Sequence, residues 1–104
     1  MGKEGKGLRI SIAGRHISIT EAIKDYAREK AEKFEKYFEG ITNVQVKLVV
    51  EGLQHNAEMI VAAAGGATII ASAGSTDMYS AIDIVTDKIE RQLKKHKARL
   101  HRRR

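Results

Sequence analysis

The chain contains no cysteine, no proline and no tryptophan, and only two Phe and three Tyr among its 104 residues. Without cysteine there is no disulfide, no thiolate nucleophile and no Cys-based zinc site. A reducing cytoplasm is compatible with that composition. No apolar run approaches the roughly eighteen residues a membrane-spanning helix requires. Glycine is also missing from Ser75 to Arg104, so nothing in that stretch interrupts a helix. The opening residues, Met1 to Gly7, lack the apolar core of a secretory signal and read as a flexible polar leader. What remains is one domain, residues 8–101, followed by a basic tail at 102–104. A chain of this length buries roughly two-thirds of its unfolded surface and folds without staples.

The last third organises the rest. Ser75, Thr76 and Asp77 are all good helix N-cap residues. After them Met78, Ile82, Val85, Ile89, Leu93, His96 and Leu100 recur at steps of three and four, the apolar stripe of one long helix. Lys88, Arg91, Lys95, Arg99 and Arg102 form a second row at the same steps, flanked by Lys94 and Lys97. Residues 87–104 hold nine Lys or Arg against Asp87 and Glu90, a net of +7, whereas the whole chain is +6. The positive charge therefore belongs to one helix and its tail. Such an excess repels itself unless an anionic partner compensates it. Nucleic-acid phosphate fits best. A membrane fits less well, because the helix's apolar stripe is needed to cover a sheet and carries no Trp or Phe for an interface.

Upstream, Leu8, Ile10 and Ile12 alternate with polar residues, the pattern of a half-buried strand over 8–13. Gly14 to His16 read as a turn and Ile17 to Ile19 as extended chain. Thr20 is a candidate N-cap, with Glu21 in the first turn where the helix dipole favours negative charge. The stripe Ile23, Tyr26, Ala27, Ala31, Phe34 and Phe38 predicts a helix to about Glu39, stopped by a left-handed Gly40. Three strands follow by alternation: 44–50, 56–63 and 68–73, with a Gly65-Gly66 hairpin turn between the last two and Gly74 closing the sheet. The predicted order is β-α-β-β-β-α. This is an α+β fold: a four-stranded antiparallel sheet with two helices packed on one face.

The same residues argue against catalysis. His16, His55, His96 and His101 are not spaced as helical metal ligands. Ser75 and Thr76 have no base beside them and are explained as capping residues. The glycines do not form a phosphate-cradling loop. The expectation is no enzyme, no cofactor, no metal and no small-molecule substrate.

Two separated segments carry a family resemblance. One runs Ala71-Ser72-Ala73, Asp77 to Ile82 and Lys88 to Lys97; the other is Ile19 to Ile23 followed by Lys33 to Phe38. On these the chain resembles the ribosome hibernation promoting factors, also described as ribosome-associated inhibitor A. The resemblance implies a cytoplasmic stress and stationary-phase factor that binds the small ribosomal subunit and its rRNA. It would block the messenger and transfer RNA sites and inhibit translation. It places the rRNA-binding surface on Lys24 and Arg28 of the first helix and on Lys88, Arg91, Lys94, Lys95 and Arg99 of the last. The chain resembles the family's short form, which in some bacteria acts beside a separate ribosome modulation factor. The rival reading is a generic double-stranded RNA-binding module. Such modules place lysines at the start of their final helix, where this chain has Ser75-Thr76-Asp77-Met78.

Overall fold

The alternating segments fold into one sheet. In a computed structural model, residues 8–38 and 40–102 are described, with side chains described to residue 97. The first strand, β1 (Arg9–Arg15), is followed by α1 (Glu21–Glu32), then by β2 (Ile41–Glu51), β3 (Gln54–Ala63) and β4 (Thr68–Ser75), and finally by α2 (Met78–Arg102). The strands lie in sequence order across a four-stranded sheet. The predicted β-α-β-β-β-α order and the four-stranded sheet hold.

The sheet is mixed, not antiparallel. β2 pairs antiparallel with β3, and β3 with β4, but β1 runs parallel to β2 with Ile10 opposite Val44 and Ile12 opposite Val46. The reason lies in the connection. A tight hairpin reverses the chain, whereas α1 carries it back to the starting end so that β2 enters in the same direction as β1.

One face of the sheet is covered. Val44, Val46 and Leu48 of β2, Ala57, Met59 and Val61 of β3, and Ile69 and Ala71 of β4 are buried against the helices. Ala27 and Ala31 of α1 and Phe34 just beyond it meet them, as do Met78, Ala81, Ile82, Val85, Ile89 and Leu93 of α2. The α2 stripe thus packs where its periodicity placed it. His96 is half-buried, and Leu100 lies outside the described side chains.

The helices begin as expected. Thr20 Oγ1 accepts from the Ile23 N–H at 3.2 Å, and Asp77 Oδ2 accepts from the Ser80 N–H at 3.0 Å. Both satisfy donors that the first helical turn leaves unpaired. The end of α1 differs from expectation. It stops at Glu32, and Lys33–Lys36 tighten into a 3-10 turn. Tightening to about three residues per turn keeps Phe34 in the core while Tyr37 and Phe38 turn toward α2. The Gly40 carbonyl accepts from the Ala64 N–H at 2.6 Å.

The turns also differ in detail. β1 extends to Arg15, and His16 takes the left-handed conformation with φ of 61°. Gly65 and Gly66 do have φ of +88°, but the connection spans Ala64 to Ala67 and is closed by Ala63 N–H donating to the Ala67 carbonyl. The β2–β3 hairpin turns at Gly52-Leu53, with positive φ only at Gly52, as in a type II′ turn. Gly74 does not end the sheet. It lies within β4 opposite Asn56, where an added Cβ would sit 2.2 Å from Gln54 Nε2.

Candidate nucleic-acid interface

The cations belong to two helices, so their placement follows from how those helices sit on the sheet. α1 packs on β1, and α2 packs on β3 and β4. Because the strands run in sequence order, each helix covers one half of the sheet.

Contacts between the helices fix their rotation. The Tyr26 hydroxyl of α1 donates to Asp83 Oδ1 of α2 at 2.5 Å, and Lys30 Nζ lies 3.5 Å from the same oxygen. Tyr26 and Lys30 therefore face α2. Lys24 and Arg28 are each two residues from Tyr26, about 200° around the helix. They occupy the flank of α1 turned away from α2, beside the β1 edge. Both are partly exposed and pair within their own helix, Lys24 with Glu21 at 4.0 Å and Arg28 with Asp25 at 3.8 Å. Exposed pairs of this kind contribute about 0–1 kcal/mol, so exchanging the carboxylate for a phosphate costs little.

On α2 the geometry is reversed. Lys88 Nζ donates to the Ser72 carbonyl at 2.8 Å, and Gln92 Nε2 to the Ile70 carbonyl at 3.3 Å. These are carbonyls of β4, the strand at the end of the sheet order. Lys88 thus lies on the flank away from α1. Arg91 and Lys95 follow it at helical spacing and are exposed. Arg91 meets Asp87 at 3.0 Å on the same helix. Ile84, on this outer side, is 41% exposed.

The seven residues singled out from the sequence therefore do not form one patch. Lys88, Arg91 and Lys95 share the β4 flank. Lys24 and Arg28 share the opposite flank. Three strand spacings, about 14 Å, separate the two sheet edges before any side-chain reach is added. Lys94 belongs to neither flank: it lies eleven residues from Asp83, hence on the same side of α2, and its Nζ is 5.1 Å from the centroid of the Tyr37 ring. The Arg99 side chain lies outside the described residues, as do Arg103 and Arg104.

The groove between the helices holds groups that local patterning had not joined. The Tyr26 and Tyr79 rings meet edge to face with centroids 5.0 Å apart, and Lys30 lies 5.1 Å from the Tyr26 centroid. Tyr26 makes the hydrogen bond across the helices, and Tyr79 supports its ring. The hydrogen bond to Asp83 pushes the Tyr26 hydroxyl above its ordinary value. Burial works to lower the Lys30 ammonium, but the charges of ionised Tyr26 and of Asp83 outweigh it and raise it overall. At the far end of the groove Phe38 and His96 meet edge to face at 5.2 Å. The signal for the near cluster was present as Tyr26 and Lys30 at spacing four, but nothing local names Asp83 as their partner.

Among the described residues no three His, Cys, Asp or Glu come together as a metal site requires. No described helix is long and apolar enough to cross a membrane. The arrangement offers charge, hydrogen-bond donors and rigid spacing.

Comparison with known proteins agrees with this architecture. A ribosome hibernation promoting factor of Pseudomonas putida is 44% identical over 90 residues, covering 86% of this chain and 87% of the relative. One from Escherichia coli is 42% identical over 93 residues, covering 89% and 97%. A ribosomal subunit interface protein from Coxiella burnetii superposes with a TM-score of 0.81 at 28% identity, covering 88% of this chain and 99% of that one. The N-terminal domain of Thermus thermophilus Protein Y superposes with a TM-score of 0.76 at 32% identity, covering 83% and 94%. The model of one family matches residues 10–101, nearly the whole fold from β1 to the end of α2. The chain belongs to that family, described as sigma 54 modulation protein / S30EA ribosomal protein.

Proposed function

We propose that this protein is a ribosome hibernation factor that binds the small ribosomal subunit within its RNA-walled decoding channel. There it excludes messenger and transfer RNA and holds the ribosome inactive under stress or in stationary phase. It acts by binding, with no reaction catalysed. The observation that carries this reading is the placement of cations on opposite flanks of the helical layer. A module that grips one duplex needs its charge on one surface. A wedge seated between two RNA walls needs it on both.

The residues assigned to rRNA are Lys24 and Arg28 on one side, Lys88, Arg91 and Lys95 on the other, and Lys94 and Arg99 along α2. Contacts of this kind go to phosphates, which position a protein without reading base sequence. Lys88 has two further donors after its bond to Ser72, so it serves the sheet and a phosphate together. The domain of residues 8–101 is the proposed binding unit, and the basic tail 102–104 adds at most nonspecific attraction.

Co-sedimentation with purified small subunits, paired with translation in vitro, tests the reading. Binding at moderate salt with translation inhibited is the expected result. Binding to an RNA duplex but not to the subunit would favour the double-stranded RNA module instead.

A further inference from the structure

We infer that Asp83 is a positioning residue: its carboxylate clasps Tyr26 and Lys30 of α1 and so sets the distance between the two cationic flanks. The inference rests on the proposed two-sided binding.

The helix pair needs such a clasp. The side chains that α1 buries are small, Ala27 and Ala31, and they fix its height above the sheet better than its rotation. Rotation is what decides where Lys24 and Arg28 point. One oxygen of Asp83 takes both the Tyr26 hydroxyl and the Lys30 ammonium, while Tyr79 braces the Tyr26 ring edge-on. Tyr26 and Lys30 stand one turn apart, so a single carboxylate holds a full turn of α1 against α2. Together these contacts hold α1 in one rotation about its axis. That rotation puts Lys24 and Arg28 at the β1 edge.

Charge alone predicts the opposite effect from positioning, and this makes the role separable. Asp83 is an acid in a protein that binds a polyanion. If it were only a charge, Asp83→Asn would strengthen binding. If it positions the flanks, Asp83→Asn weakens binding even though the protein becomes more positive. Tyr26→Phe changes no charge and should weaken binding in the same way. The expected loss for each is about three- to tenfold, the factor by which the binding-competent arrangement loses population. The dependence of affinity on salt should keep the wild-type slope, because the same phosphates are still contacted once the helices are in place.

Two measurements decide the matter. The first is salt-dependent co-sedimentation of wild type, Asp83→Asn and Tyr26→Phe with small subunits. Val61→Ala, in the sheet core, serves as a destabilised control that should bind as wild type does. The second reads geometry without the ribosome. The chain has no cysteine, so spin labels at Glu29→Cys and Ile84→Cys report the α1–α2 distance directly. Asp83→Asn should broaden or shift that distance distribution. Equal or tighter binding by Asp83→Asn overturns the proposal, as does an unchanged distance distribution. A shallower salt slope in Tyr26→Phe, or an equal loss in Val61→Ala, overturns it too. Absence of wild-type binding removes the functional reading and this inference with it.

Discussion

Tyr26 and Asp83, 57 residues apart in the chain, are joined by a 2.5 Å hydrogen bond that ties the first helix to the last. The bond requires the phenol proton, so the folded state holds that proton more tightly than the unfolded state does. Tyr26 should therefore ionise above its ordinary value. In a variant with Tyr37→Phe and Tyr79→Phe, ultraviolet titration reads this group alone, and Asp83→Asn should bring it down. Lys30 is shifted in the same direction. For both groups the stabilising contribution is complete below the unfolded pKa, near 10 for each, and is lost as pH rises through the raised folded value. Unfolding midpoints across pH 9 to 11 should fall more steeply in the wild type than in Asp83→Asn.

Charge reversal should resolve the two flanks. Glu at Lys88, Arg91 and Lys95 together should weaken small-subunit binding strongly, and Glu at Lys24 and Arg28 should weaken it separately. Because the flanks share no partners, their effects should add in free energy to within about 0.5 kcal/mol. For the wild type, about six neutralised phosphates imply a slope of log affinity against log salt of roughly −4 to −5. Unchanged binding by the triple reversal would remove the α2 flank from the interface.

Gly14 faces the core side of β1, where Ile17 and Ile19 fold back over it. A Cβ there would lie 2.5 Å from Ile19 Cγ1. Gly14→Ala should cost about 1–3 kcal/mol through overpacking, measured by urea unfolding. Its backbone is not left-handed, so the loss would come from crowding alone.

Asp77→Ala should destabilise the protein by about 1 kcal/mol, because the Ser80 N–H loses its cap. Asp77→Ser should recover most of that loss. Thermal unfolding of the three proteins checks both statements.

The periodic parts of the fold were legible in the sequence for a simple reason. A strand shows its buried face at every second residue, and α2 shows its own at Met78, Ile82, Val85, Ile89 and Leu93. Each pattern is local. The parallel entry of β1 was not legible, because alternation in Ile10 and Ile12 is the same in either direction. The shortened α1 was not legible either: Phe34 and Phe38 fit a helical stripe, yet a 3-10 turn holds Phe34 in the core as well.

The proposed interface was legible in composition but not in arrangement. Periodicity phases Lys24 and Arg28 against the stripe of α1, and Lys88 and Arg91 against that of α2. It does not phase one helix against the other. That relation depends on strand order and on Tyr26 meeting Asp83, both of which are long-range. For the same reason Lys88 gave no sign that it would also close the β4 edge through the Ser72 carbonyl.

If both cationic flanks bind as proposed, the protein is bivalent. Once one flank is held, the other searches only the small volume its own rigid body allows, at an effective concentration set by the fold and no linker. Residence time then depends on both grips failing together. Any event that moves the two walls apart by a few ångströms releases one grip, and the second becomes an ordinary weak electrostatic contact. On the proposed two-walled binding, the complex would persist in a closed cleft and fall away quickly from an opened one.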